Sequence, residues 1–448
     1  MIGIFGTDGV RSRINTGPMR AEYIVRLALA AGEYFISKNN SFNKSSKPIV
    51  VIGKDTRLSG YMLEAALVSG FTSIGMDCRL LGPIPAAGVA YLTHSLRAEL
   101  GVMISASHNP HFDNGIKLFG PDGFKLDDDI ELQISNLLQG SISLAEPALL
   151  GRAKRMVDSV ARYVEFSKGK FSPKLSLNSL KIVLDCANGA AYKTGPNTLR
   201  ELGATVIPFS VEPNGLNINA SCGATEPAKL VNAVKVHSAD IGISLDGDAD
   251  RVILCDEKGF IHDGDTLLAI LALDMHYNGT LTGPVVGTVM TNLALERLFD
   301  SHKIAFKRAS VGDRYILEKL KQDGGNLGGE PSGHILLPEI TRCGDGLIAA
   351  LKILELLVLS QKPASEFLHL FTPIPQKLVN LPNVDKAVLQ SDVVKTQIQD
   401  IEKRLADKGR LLIRPSGTEP VIRVMVEAEN AKVTEKTIDE VCRIFTKR

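Results

Sequence analysis

Three times along this 448-residue chain a short run of β-branched residues ends in small or polar residues and hands over to a helical spacing. The first is "PIVVIGKDTR" at 48–57, followed by "LEAALVSGFTSIG". The second is "LKIVLDCANGAAYKTGP" at 180–196, and the third is "GPVVGTVMTNLALERLF" at 283–299. Alternating strand and helix signals specify a sheet with helices packed on it, so the pattern predicts an α/β chain with three related domains. Beyond the proline-rich "LFTPIPQKLVNLPNV" (370–384), which breaks the helix before it, the spacing reads strand, loop, strand, helix, a smaller α+β domain. The connectors predict boundaries at 1–155, 156–256, 257–370 and 371–448, and "SKNNSFNKSSK" (37–47) reads as an exposed polar loop.

Composition narrows the class of partner. With 51 basic against 50 acidic residues, the net charge is +1, which argues against general affinity for nucleic acid or an anionic membrane. The six cysteines (78, 186, 222, 255, 343 and 442) form no CxxC pair, so reduced thiols are expected rather than a zinc site or disulfides. "MIGIFGTDGVRSRIN" lacks the basic and apolar regions of a signal peptide. The longest apolar stretch, "GLIAALKILELLVLS", carries Lys352 and Glu355 and is too short to span a bilayer. A soluble, cytoplasmic protein is the expectation.

The chemistry is concentrated in four stretches. "DGDADR" (246–251) places Asp246, Asp248 and Asp250 directly after the apolar run "IGISL". Three like charges repel unless a cation neutralises them, and hard carboxylate oxygens suit Mg²⁺ or Ca²⁺. An EF-hand is excluded because Arg251 stands where the loop needs glycine and both flanks read as strands. "SASHNP" (105–110) offers Ser107 as a nucleophile or phosphate carrier at a strand's end, with Lys117 ten residues on. An isolated serine there would more often cap a turn ahead of Pro110. "RPSGTEPVIR" (414–423) gathers Arg414, Ser416, Gly417, Thr418 and Arg423 into a phosphate cradle, and "GGEPSGH" (328–334) supplies Glu330, Ser332 and His334.

Taken in order, "FGTDGVR" (5–11), "GKDTRLSG" (53–60), "SASHNP", "DGDADR", "GGEPSGH" and "RPSGTEPVIRV" resemble the α-D-phosphohexomutase family nearly end to end. "GLNINASCGATEP" (215–227) and "RASVGDRYILEKL" (308–320) resemble the members that act on glucosamine phosphates. The resemblance implies four domains around a central cleft, three α/β with mixed sheets and one α+β. It implies a phosphoserine at Ser107 and one Mg²⁺ held by Asp246, Asp248, Asp250 and the Ser107 phosphate. The implied reaction interconverts glucosamine 6-phosphate and glucosamine 1-phosphate through glucosamine 1,6-bisphosphate, toward amino-sugar nucleotides and cell-wall precursors. Lys117 is the first expectation for moving the hydroxyl proton and His334 the second. Arg11 or Arg251 would offset charge on the phosphoryl group, Glu330 and Ser332 would read the sugar, and the 414–423 loop would hold the other phosphate. Departures from the family's usual residues occur at Ser12, Ala86, Ala87 and Pro331, none of which removes a group the chemistry needs. A mutase of broad hexose preference and a catalytically silent sugar-phosphate binder are the competing readings. A small-molecule partner is implied, with no nucleic acid or membrane, and a homodimer by family analogy alone.

Overall fold

The computed structural model describes residues 4–6, 8–38, 47–382, 384–415 and 421–446. Residues 39–46 of the polar segment, and Ser416, Gly417 and Thr418 of the cradle, lie outside them. The first sheet runs Val10–Arg13, Asp113–Phe119, Leu100–Ile104, Ile49–Lys54, Asp77–Pro83, Ala153–Arg155. Its first two pairings are antiparallel and the other three parallel. The second runs Ile261–His262, Val252–Asp256, Ile241–Leu245, Lys181–Asp185, Thr205–Phe209, and the third Phe306–Ala309, Val285–Thr288, Gly328–Gly329, Ile335–Leu336. Both also mix directions. All three α/β sheets are therefore mixed, and the fourth, Gln376–Pro382, Val421–Ala428, Gly409–Pro415, is antiparallel.

The apolar runs are strands covered on both faces, which is why they show no polar alternation. In Leu100–Ile104, Leu100, Val102 and Ile104 enter one core and Met103 enters another on the opposite face. Ile182 and Leu184 likewise fill the large core shared by the second and third domains, while Val183 packs with Leu230 and Val234. Each such side chain contributes about 1.5–3 kcal/mol when taken fully out of water. In the neighbouring strand Asp113–Phe119, Ile116 and Leu118 face the first of these cores, so the two-residue period turns Lys117 to the other side. The proline-rich segment contains an additional strand, Gln376–Pro382. It is an edge strand with Pro382 at its end, where a missing N–H costs nothing in the ladder.

Helix Gly346–Ser360 ties the aspartate loop to the third domain. Its first residue donates its N–H to Ala249 O at 2.9 Å. Asp345 caps the helix by accepting from Ile348 N at 3.0 Å and also accepts from Tyr163 Oη at 2.8 Å. Burial pushes the Asp345 carboxyl up to about 6 despite those hydrogen bonds. Its folded pKa therefore exceeds its unfolded one, and its contribution to stability is present below about pH 4 and lost as pH rises through about 6. Asp345→Asn keeps an acceptor oxygen without the charge. Urea titrations should show the variant gaining roughly 2–3 kcal/mol on the wild type between pH 4 and pH 7. A pH-independent difference would contradict this.

Candidate active site

The loop 246–251 joins two antiparallel strands, Ile241–Leu245 and Val252–Asp256, so strands do flank the three aspartates. One carboxylate oxygen from each of Asp246, Asp248 and Asp250 lies within 4.8 Å of the others, and all three residues are buried. Ser107, 1% exposed, donates its hydroxyl to Asp246 Oδ2 at 2.5 Å across 139 positions of sequence. The two loops touch so closely that a Cβ on Gly247 would lie 2.4 Å from Ser107 O. Ser107 itself is left-handed, with φ +49°, a conformation that costs a non-glycine residue about 1–3 kcal/mol. Its carbonyl accepts from Arg57 Nη2 at 3.1 Å and Asn219 Nδ2 at 2.8 Å, and its N–H donates to Ser105 Oγ at 2.9 Å. Ser105 Oγ in turn donates to Asp55 at 2.6 Å, and Asp55 pairs with the fully buried Arg57. These contacts over-determine the strained turn.

Lys117 answers the acidic charge. Its ammonium is 2.8 Å from Asp248 Oδ2, 3.0 Å from Asp250 Oδ2 and 3.1 Å from Asp8 Oδ2. Burial works against that cation, but Asp248, Asp250 and Asp8 outweigh it and raise its pKa well above the ordinary lysine value. His334, from the third domain, sets Nδ1 at 3.6 Å from Asp250 and Nε2 at 3.5 Å from Asp313. Burial alone would lower its pKa, but those carboxylates raise it. The close packing here leaves no room behind the ring, since a Cβ on Gly344 would come within 2.2 Å of His334 Nε2. Burial alone would also raise Asp250, yet Lys117, His334 and Arg251 hold it well below the usual range. Asp246 behaves oppositely: burial, with Asp250 and Asp248 adding like charge, pushes it to about 7. His108, whose Nδ1 is 3.4 Å from Ser107 Oγ, is pushed down to about 4 by burial and by Arg251 and Arg11.

Ser107, Lys117, the three aspartates and His334 thus converge from three domains. Arg251 joins them through its N–H, which donates to Asp246 Oδ1 at 3.2 Å, and Arg11 joins through its pairing with Asp8. Glu330 accepts from Gly312 N at 2.8 Å and from Ser332 Oγ at 3.1 Å. Arg414 and Arg423 stand on the fourth sheet as a cross-strand pair. That sheet meets the third domain through Arg410, which donates to Val289 O at 2.9 Å and Thr291 O at 3.0 Å. Asp8, Lys125, Asp313, Arg57 and Asn219 were not singled out from the sequence. Each acts at the site through at least one partner remote in the chain: Asp8 and Asp313 through Lys125, and Arg57 and Asn219 through Ser107 or Asn109.

The donor set fits a hard divalent cation. Both oxygens of Asp248 and Oδ1 of Asp250 are buried without a hydrogen bond, although the Lys117 ammonium forms an ion pair with Asp248 Oδ2 at 2.8 Å. Carboxylate oxygens left without hydrogen bonds at such depth are hard donors of the kind Mg²⁺ prefers.

Sequence models of the phosphoglucomutase/phosphomannomutase family match four successive stretches. These are α/β/α domain I at residues 3–143, domain II at 161–259, domain III at 263–374 and the C-terminal domain at 378–444. The chain belongs to this family. It is 52% identical over 440 residues to a phosphoglucosamine mutase of Phenylobacterium zucineum, covering 98% of this chain and 97% of the relative. To one of Maricaulis maris it is 54% identical over 442 residues, with the same coverage of 98% and 97%. A phosphoglucomutase/phosphomannomutase family protein of Burkholderia thailandensis shares the fold at a TM-score of 0.81 and 21% identity, over 99% of this chain and 97% of that one. N-acetylphosphoglucosamine mutase of Aspergillus fumigatus, solved with GlcNAc-6P and magnesium, does so at 0.64 and 17%, over 99% and 96%. Among the described residues no helix is long and apolar enough to cross a membrane.

If these carboxylate oxygens receive a cation, Mg²⁺ at about 100 times its Kd should raise the wild-type melting temperature by about 2–4 °C. Asp248→Asn, which takes away one of the three carboxylates, should lose that shift. An undiminished shift in the variant would contradict the assignment.

Proposed function

We propose that the protein is a phosphoglucosamine mutase, interconverting glucosamine 6-phosphate and glucosamine 1-phosphate through glucosamine 1,6-bisphosphate. The observation that carries this is the Ser107 hydroxyl on Asp246, inside a buried carboxylate triad flanked by Lys117 and His334. Relatives bearing that activity's name, 52% and 54% identical over nearly the whole chain, support the choice of sugar.

In the active form Ser107 carries the phosphoryl group. Mg²⁺ held by Asp246, Asp248, Asp250 and that phosphate would offset charge on the phosphoryl and, by engaging carboxylates that face Lys117, would bring its ammonium nearer a proton acceptor's range. Arg57 and Asn219 fix the Ser107 turn, so the donor is held before the acceptor arrives. A sugar hydroxyl attacks phosphorus, its new O–P bond forming as the bond to Ser107 Oγ breaks. Lys117 takes the hydroxyl proton, with His334 the second candidate. Arg11 and Arg251 supply positive charge toward the phosphoryl oxygens. The freed Ser107 Oγ takes up a proton in exchange, and the bisphosphate turns over. Ser107 Oγ then attacks the bisphosphate's other phosphorus as the bond from that phosphorus to the sugar oxygen breaks; the serine proton passes to that oxygen and glucosamine 1-phosphate leaves.

Glu330 and Ser332 would meet the sugar hydroxyls. Arg414 and Arg423, with Ser416, Gly417 and Thr418, would grip the phosphate that is not reacting. Burial and the facing Arg423 both lower the Arg414 pKa, and an anion between the two guanidinium groups would relieve the repulsion.

The test is kcat/KM on glucosamine 6-phosphate, glucose 6-phosphate and mannose 6-phosphate, each with Mg²⁺ and its 1,6-bisphosphate. A preference for the aminosugar is expected, with kcat at least about a thousandfold lower in Ser107→Ala. Equal or better turnover of glucose or mannose would assign a broader mutase. No turnover of any by folded, primed protein would assign a silent binder.

A further inference from the structure

The ion pairs around Lys117 extend beyond it to a residue that the mechanism leaves unused. Lys125 holds its ammonium between Asp8, which it touches, and Asp313, at 2.5 Å. Its side chain is 11% exposed, so this is a largely buried cation bridging the first domain and the third. Asp313 opens helix Asp313–Asp323. Gly312, just before it, has φ +127° and donates its N–H to Glu330 Oε1, whose other oxygen accepts from Ser332. An unbroken set of contacts therefore runs from Asp8, through Lys125 and the start of this helix, to the pair assigned above to the sugar. Arg314 ties the same helix to Glu131 at 2.7 Å and to Asp128. Asp128 is on the surface, 70% exposed, where such pairs contribute little.

Resting on the activity proposed above, we propose that Lys125 is a positioning residue: its ammonium sets the start of helix Asp313–Asp323, and with it Glu330 and Ser332, in fixed relation to Ser107. The two ends of the bridge are unequally backed. Without Lys125, Asp8 keeps both Arg11 and Lys117, so the phosphoryl donor side stays compensated. Asp313 keeps only the more distant His334 at 3.5 Å, among the ion pairs of the described residues. Loss of the ammonium therefore loosens the acceptor side selectively.

Two rates separate these sides in Mg²⁺-loaded protein phosphorylated with glucosamine 1,6-bisphosphate. One is steady-state mutase turnover of glucosamine 6-phosphate, and the other is hydrolysis of phospho-Ser107 to inorganic phosphate, which needs no sugar. Lys125→Met should raise KM about tenfold and lower kcat/KM about 30- to 100-fold, with hydrolysis within about twofold of wild type. Lys125→Arg, which keeps the charge, should be intermediate, with KM raised about threefold. Hydrolysis falling in parallel with mutase turnover would overturn the proposal by placing the damage at the donor, and so would an unchanged KM. If Lys125→Met does not fold, Lys125→Arg decides by the same two rates. Failure of the wild type itself to turn over the sugar would refute the proposed activity rather than the bridge.

Discussion

Three carboxylates cannot be buried side by side unless something cancels their charge. At 4 Å and an effective dielectric near 20, two like charges repel by about 4 kcal/mol, comparable with a sizeable share of a domain's net stability. In this chain the hairpin around Asp246, Asp248 and Asp250 is in the second domain, and beyond its own Arg251 its relief comes from the other domains. Lys117 belongs to the first domain and His334 to the third. The site therefore exists only where the three domains meet, and the charge that forces them together is the same charge that suits a divalent cation. Burial and the like charge of Asp250 and Asp248 push Asp246 to about 7.

The second constraint is the backbone at Ser107. A left-handed serine persists here because Arg57, Asn219 and Ser105 occupy its carbonyl and its N–H, and because glycine at 247 allows the opposing loop to pack directly on it. Strain held by rigid partners presents the hydroxyl to Asp246 without further adjustment. Arg57 and Asn219 come from different domains, so the turn, like the triad, depends on domain packing.

Much of the fold was legible because strands buried on both faces leave uninterrupted β-branched runs, as at 49–54, 181–185 and 285–288. The strand inside 370–384 was hidden, since its prolines signal a break and only the edge position of Gln376–Pro382 tolerates them. At the site, Ser107, Lys117, the aspartates and His334 stand in dense motifs, and the structure brings these residues together. Asp8 and Asp313 lie within motifs noted for other residues, "FGTDGVR" and "RASVGDRYILEKL", and Lys125 lies in none. A charge acting through partners 117 and 188 positions away leaves no local pattern to read.

In the proposed mechanism a phosphoryl group on Ser107 and a metal on the three aspartates occupy one site. ³¹P NMR of the phosphorylated protein tests it directly, by adding Mn²⁺ as a paramagnetic stand-in for Mg²⁺. One phosphoserine resonance is expected, broadened strongly at substoichiometric Mn²⁺ and restored by a chelator. A phosphoserine signal that stays sharp after the protein has bound Mn²⁺ would place the metal away from Ser107 and contradict this mechanism.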